Sequence, residues 1–305
     1  MSIVLLLLGL VLAAIGGERF VRGAVGLATW LRIPAGVVGA TVAAFATSSP
    51  ELTVGVLAAI DGRPELALGD AMGSNMVNLG IVMGFTLLVS AIHVERREVQ
   101  REVFGFIAAL AVLVVSAVDG KIARVEAIAM ISIFVLWLSW VVRDARNDRQ
   151  AVNDVAELRR GFIVVDVAVG LLLLMVSGRL IVMGAKDIGE FLGWSPFIIG
   201  SIVVAIGTSA PELVTTIISA RRGHIGVGIG TVLGSNIFNS MLIVGTAGWI
   251  SPIEISMQPT LIAIGASFVA TLVMIPSRRH QLGRQRGLAL IGLYGAFVIA
   301  LLLTV

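Results

Sequence analysis

The sequence predicts an all-α polytopic membrane protein, with ten transmembrane helices in a 5+5 inverted-topology repeat. Three observations predict it. The 305 residues are 57% hydrophobic and only 13% charged, with a mean hydropathy of +1.01, and a soluble chain of this size could not hide that much apolar surface. The apolar residues gather into runs of about 20, the length that crosses a hydrocarbon core of about 30 Å. The two halves of the chain also repeat one another at a constant offset. The same composition excludes a disordered chain, which would be polar and charge-rich. Cysteine is absent, so there is no disulfide frame, thiolate metal site or Cys nucleophile, and the three histidines, His93, His224 and His280, sit beside charged loop residues.

The first run, residues 2–26, follows only Met-Ser with no basic stretch before it, and reads as a true span and not a cleaved leader. Runs two and three, 35–60 and 64–90, carry the motifs described below, and runs four and five, 103–118 and 122–142, close the first set. The second set is 162–185, 196–220, 225–250, 260–276 and 287–305. The domain reading is a first five-helix repeat over 1–142, a cytoplasmic linker over 143–160 and an inverted second repeat over 161–305. The linker mixes Arg143, Arg146, Arg149, Arg159 and Arg160 with Asp144, Asp148, Asp154 and Glu157, and reads as a solvated segment. Placing both termini outside the cytoplasm puts fifteen Lys and Arg in inner loops and four in outer loops, the asymmetry that orients membrane proteins. The net charge of +3 is therefore a topology signal rather than a nucleic-acid footprint. The location expected is the cell (plasma or inner) membrane, with a single chain as the working unit.

Residues 39–52 read GATVAAFATSSPEL and 200–213 read GSIVVAIGTSAPEL, identical at 8 of 14 positions. GSNMVN at 73–78 is matched by GSNIFN at 234–239, so both pairs keep the offset of 161 that separates Gly39 from Gly200. Five spans per repeat is an odd number, so the second copy enters the membrane in the opposite direction. Inverted repeats of this kind build secondary transporters, with the substrate site at the repeat interface near the midplane.

Pro50 has no N–H to give the carbonyl of Ala46, and Pro211 none to give Gly207. Each span should break there, freeing carbonyls around Ala46–Thr47 and Gly207–Thr208 at the negative end of the preceding half-helix. Glu51 and Glu212 follow one residue later, and a carboxylate at bilayer depth marks function by default. The inverted symmetry brings the two to one point among hydroxyls and carbonyls, an all-oxygen set suited to Ca²⁺ or Na⁺. Ser74 lies ten residues into its span, about 15 Å deep, and shares a helix face with Asn78, as Ser235 does with Asn239. These four are expected to line the ion site. Asn75 and Asn236, about 100° around the helix, fit a role as glue between helices, and Gly73 and Gly234 let a neighbouring backbone come close. Asp70, one turn before Ser74, fits either an outer-vestibule attractor for cations or a wetted carboxylate near the membrane surface. Glu18 and Arg22 are spaced to pair with each other.

These paired stretches resemble the α-repeats of the cation/Ca²⁺ exchanger superfamily, most of all the prokaryotic Na⁺/Ca²⁺ exchangers. The G(T/S)SxPE pattern appears as Ala46–Glu51 and Gly207–Glu212, and the GSNxxN/D pattern as Gly73–Asn78 and Gly234–Asn239. The resemblance implies that Glu51 and Glu212 bind Ca²⁺ with the backbone carbonyls of Thr47 and Thr208. It implies flanking Na⁺ sites that use Ala43, Ser48, Ala205, Ser209, Ser74 and Ser235 with the same glutamates, and Asn78 at the centre. It also implies alternating access, with the first and sixth spans sliding against the core. Asn239 stands where several relatives have Asp, which argues against the K⁺-dependent branch.

The function expected is therefore Na⁺/Ca²⁺ antiport, the two ions competing for shared carboxylates, with no cofactor beyond the transported Ca²⁺ and Na⁺. Buried glutamates could instead exchange protons, which makes H⁺/Ca²⁺ exchange on the same fold the nearest alternative. A cation channel needs weak sites strung along a pore, whereas these ligands share one depth. A hydrolase would need G-x-S-x-G, H-E-x-x-H or a pair of aspartates within spans at matching depth, and ATP-driven pumping a P-loop; the sequence has none of them.

Overall fold

The computed structural model describes residues 2–31, 35–89, 92–93, 96–116, 118–147, 160–191, 194–276 and 281–304, and 88% of these described residues are helical. Most of the expected linker, residues 148–159, lies outside the described residues. The helices in chain order are α1 (Ser2–Leu31), α2 (Gly39–Thr47), α3 (Ser49–Ile60), α4 (Pro64–Val89), α5 (Arg96–Ser116), α6 (Arg124–Asn147), α7 (Arg160–Phe191), α8 (Pro196–Thr208), α9 (Ala210–Arg221), α10 (Ile225–Ile250), α11 (Met257–Val273) and α12 (Arg284–Leu302). Among the described residues, α4, α10 and α12, with Val99–Ser116 of α5 and Arg124–Asp144 of α6, are each long and apolar enough to cross a membrane. The bent pairs α2–α3 and α8–α9 each pass the same test as one unit, and α11 and Gly161–Ser177 of α7 are shorter apolar helices.

Local chemistry sets the ends of these elements. Proline opens α4 and α8 at the position where a missing N–H costs nothing, and the Ser195 hydroxyl caps α8 by accepting from the Ile198 N–H at 3.4 Å. Gly62 and Gly223, with φ of 71° and 77°, end α3 and α9 in the left-handed conformation that glycine tolerates. The turns close with Arg63 N–H to Ala58 C=O and His224 N–H to Ser219 C=O, both 2.8 Å. Short antiparallel ribbons, which the sequence did not announce, join Ile92–His93 to Gln281–Leu282 and Lys121–Ile122 to Ile253–Glu254.

The two halves interlock through glycine. A Cβ on Gly73 would lie 2.2 Å from the Ser201 carbonyl, and one on Gly234 would lie 2.5 Å from that of Ala40. So α4 of the first half seats on α8 of the second, and α10 seats on α2, with the 161-residue offset kept at each contact. The obstacles are backbone atoms, which cannot step aside as a side chain can. Gly73→Ala is therefore expected to destabilise the folded protein by about 1–3 kcal/mol or more. A clear drop in thermal midpoint in detergent, against a control alanine at exposed Gly265, would show it.

Four stretches replace α-helical bonding with wider i→i+5 turns: Gly39–Ala43, Val77–Met83, Gly200–Val204 and Phe238–Ile243. They too repeat at the offset, and such widened turns are frequent at functional sites. Helices α1 and α7 pack along each other and touch the rest through smaller contacts, chiefly with α2, α8 and α9. The expected Glu18–Arg22 pair does not form. Arg22 bonds Asp166 of α7 at 3.3 Å, and Glu18 bonds Arg222 beyond α9 at 2.5 Å. Tertiary partners were within reach, and they outcompeted the neighbour one turn away.

Candidate ion-binding site

Both helix breaks fall at serine. Ser48 (φ −86°, ψ 9°) separates α2 from α3 with a bend of 51°, and Ser209 (φ −81°, ψ 6°) separates α8 from α9 with a bend of 42°. Proline is the second residue of each following half-helix, and Glu51 and Glu212 stand in its first turn. That is the positive end of the half-helix dipole, which favours a carboxylate. One detail differs from expectation. The carbonyls of Ala46 and Gly207 are not freed by the prolines, because N–H groups at the caps donate to them. The chain tightens at the break and reuses these acceptors, while Thr47 and Thr208 remain as the last residues before it.

The residues singled out from the sequence gather at the breaks and on the facing stretches of α4 and α10. Thr47, Ser48, Glu51, Ser74, Asn78, Thr208, Glu212, Ser235, Asn239, Ala43 and Ala205 are all 0% exposed, and Ser209 is 1% exposed. The Glu212 Oε1 accepts from Ser48 at 3.1 Å and from Ser235 at 3.2 Å. The Thr47 hydroxyl donates to the Ala43 carbonyl at 3.0 Å, and the Thr208 hydroxyl lies 3.2 Å from the Val204 carbonyl oxygen. Asn75 and Asn236 hold the centre together. Asn78 Nδ2 donates to Asn236 Oδ1 at 3.0 Å, Asn239 Nδ2 to Asn75 Oδ1 at 3.3 Å, Asn236 Nδ2 to the Asn75 carbonyl at 3.3 Å, and Asn75 Nδ2 to Ser240 at 2.8 Å. With their N–H groups engaged in this way, Asn78 and Asn239 each keep an unpartnered Oδ1.

Asp70 was missed. It is neither a vestibule residue nor wetted: it is 0% exposed, and its Oδ1 lies 3.2 Å from the Thr208 hydroxyl and 3.5 Å from that of Ser74. Depth along its own helix suggested a place nearer the surface, but α8 from the other half covers it. Gly200 comes so close that a Cβ there would lie 2.8 Å from the Asp70 backbone nitrogen.

The site is short of hydrogen-bond donors. Both oxygens of Glu51, Oε2 of Glu212, Oδ2 of Asp70, the two asparagine oxygens and the Ser209 hydroxyl are buried without a hydrogen-bond partner. Buried charge of one sign with nothing to neutralise it is costly, and all of these open ligands are oxygens, which suits hard cations. Among the described residues no three Asp, Glu, His or Cys side chains are grouped to hold a metal ion by themselves. A cation here would draw on hydroxyl, amide and backbone oxygens as well.

Fold and polar core together define a multi-pass membrane protein that buries an oxygen-lined, negatively charged centre where two broken helices meet. The chain belongs to the sodium/calcium exchanger protein family, whose model matches residues 1–143 and 162–303. It is 31% identical to the inner membrane protein YrbG of Escherichia coli over 303 residues, covering 94% of this chain and 93% of that one. It is 27% identical to the sodium/calcium exchanger MaX1 of Methanosarcina acetivorans over 353 residues, covering 98% of each. Among solved structures it resembles the sodium-calcium exchanger NCX_Mj with a TM-score of 0.84 at 27% identity, again over 98% of each chain.

Proposed function

We propose that this protein is a secondary active antiporter that exchanges Na⁺ for Ca²⁺ across the cell membrane by alternating access. The observation that carries the reading is the pair of buried glutamates, Glu51 and Glu212, at matching helix breaks with carboxylate oxygens left unpartnered. In this reading α2–α3 and α8–α9 each form one broken span, giving ten spans in two inverted sets of five. The repeats run over 1–142 and 161–305 with 143–160 as a cytoplasmic linker, both termini are extracytoplasmic, and one chain suffices.

Charge dictates the cycle. Two glutamates neutralise one Ca²⁺, or two of several Na⁺, so the ions compete and their fluxes are coupled. The Thr47 and Thr208 carbonyls complete the Ca²⁺ shell. Ala43, Ala205, Ser48, Ser209, Ser74 and Ser235 serve Na⁺ beside the same carboxylates, and Asn78 and Asn239 present their oxygens at the centre. A filled site moves because its charge is balanced, whereas a half-filled one leaves buried negative charge and resists occlusion. The moving part is the α1–α7 pair, which packs mainly on itself. The membership in the sodium/calcium exchanger family supports the choice of ions.

The test is ⁴⁵Ca²⁺ uptake into proteoliposomes with an outward gradient of Na⁺, K⁺ or H⁺ imposed separately. Uptake driven by Na⁺ alone is expected. Uptake driven by the pH gradient with no Na⁺ present would replace this reading with H⁺/Ca²⁺ exchange, and downhill flux without coupling would make the protein a channel.

A further inference from the structure

The two-fold symmetry of the backbone is broken chemically at one residue. Asp70 and Thr231 are repeat mates in matching surroundings: a Cβ on Gly200 would lie 2.8 Å from the Asp70 nitrogen, and one on Gly39 would lie 3.1 Å from the Thr231 nitrogen. Thr231 satisfies itself, donating to the Val227 carbonyl of its own helix at 2.8 Å. Asp70 cannot do this. It has no proton to donate when ionised, and its helix offers no spare N–H.

The consequence spreads to both glutamates. Glu212 receives two hydroxyls, Ser48 at 3.1 Å and Ser235 at 3.2 Å. By symmetry Glu51 should receive Ser209 and Ser74. Instead Ser74 turns to Asp70 Oδ1 at 3.5 Å and to the Thr208 hydroxyl at 3.4 Å, and the Ser209 hydroxyl stays unpartnered. Asp70 thus draws one donor away from Glu51, keeps its own Oδ2 unpartnered, and makes a third buried carboxylate beside Glu51 and Glu212. One divalent ion cannot balance three carboxylates.

We propose that Asp70, with the Ser74 and Thr208 hydroxyls, forms a monovalent-cation subsite beside the glutamate pair, so that Ca²⁺ binds together with one alkali ion. This rests on the reading of Glu51 and Glu212 as the Ca²⁺ site and adds a third charge to it. With all three carboxylates ionised, neutral occupancy is one Ca²⁺ plus one alkali ion, or three alkali ions. The chemistry required is a small cation that accepts hydroxyl and carboxylate oxygens, which Na⁺ and K⁺ both satisfy. The pocket is one-sided, because Thr231 offers no counterpart charge.

The decisive measurement is Ca²⁺–Ca²⁺ exchange, ⁴⁵Ca²⁺ entering proteoliposomes loaded with unlabelled Ca²⁺, where no alkali gradient is needed. The arms are N-methyl-D-glucamine alone, low Na⁺ and low K⁺. Coupling between two bound ions is commonly worth about fivefold or more, so wild-type exchange should rise by at least about fivefold with Na⁺, K⁺ or both, and the two arms identify the ion. In Asp70→Asn, and in Asp70→Thr, which copies the repeat mate, this stimulation should disappear. A second measurement covers variants that transport poorly. In detergent at saturating Ca²⁺, added alkali ion should raise the melting temperature of the wild type, and leave unchanged or lower that of Asp70→Asn. Exchange indifferent to both alkali ions, or an equal alkali-induced rise in melting temperature in wild type and variant, overturns the subsite. Loss of the antiport reading looks different: the wild type then takes up no ⁴⁵Ca²⁺ under any gradient, and the melting comparison still decides Asp70.

Discussion

Replacing Glu51 or Glu212 by glutamine is expected to reduce Na⁺-driven ⁴⁵Ca²⁺ uptake in proteoliposomes to background. The substitution keeps shape and volume and removes one of the charges proposed to balance the cation. Breaking a buried charge pair costs about 3–5 kcal/mol, and at 1.4 kcal/mol per decade this corresponds to a loss of roughly 100- to 1,000-fold or more in affinity. The two variants are not equivalent in what they disturb. Glutamine at 212 disturbs an acceptor that already holds Ser48 and Ser235, whereas glutamine at 51 places an amide where neither oxygen has a partner. Glu51→Gln should therefore fold at least as well as the wild type while losing transport. Size-exclusion behaviour and melting temperature separate that outcome from unfolding. Near-normal uptake in either folded variant would remove these residues from the site.

A disulfide between Gly17→Cys on α1 and Val214→Cys on α9 should arrest transport when oxidised and release it when reduced. A Cβ on Gly17 would stand 3.4 Å from the Val214 Cβ, close to the separation that a disulfide spans. The chain has no cysteine of its own, so the pair is the only thiol chemistry present. The bond would tie the α1–α7 pair to the half-helix carrying Glu212. If that pair slides during each cycle, oxidised protein should show at least about a tenfold loss of uptake, restored by dithiothreitol, since a trapped conformer cannot complete the exchange. Full activity in the quantitatively cross-linked protein would mean that α1 and α9 move together.

Much of this was legible in the chain. Pro50 and Pro211 announced the breaks because a missing N–H acts locally, whatever surrounds it. Gly73 and Gly234 announced close packing for an equally local reason, the absence of a side chain. What the sequence concealed depends on partners that are distant in the chain. Asp70 was misjudged because depth along one helix says nothing of the backbone that covers it, which comes from Phe197–Ser201. Glu18 found Arg222, 204 residues away, where the helical repeat suggested Arg22. The carbonyls of Ala46 and Gly207 were reclaimed by a tightened turn, in which ψ of Ser48 and Ser209 reaches 9° and 6° against about −42° in an α-helix, a rotation that composition does not encode. The widened turns and the two ribbons leave no compositional trace either, since apolar residues serve α, i→i+5 and extended backbone alike.

The interlocking of the halves bears on how the protein is made. Chains emerge from the N-terminus, and domains generally fold in that order, yet the Gly69–Gly73 face of α4 is shaped for Phe197–Ser201, which is synthesised more than a hundred residues later. Until then that face, with Asp70 beside it, has only lipid and water to meet. The first repeat must wait in the bilayer as an unfinished surface, and its carboxylates become deeply buried only when the second repeat arrives. Insertion and folding are thus separate events in this molecule, and the interval between them is when its polar core is most open to misassembly or to capture by the cell's quality control.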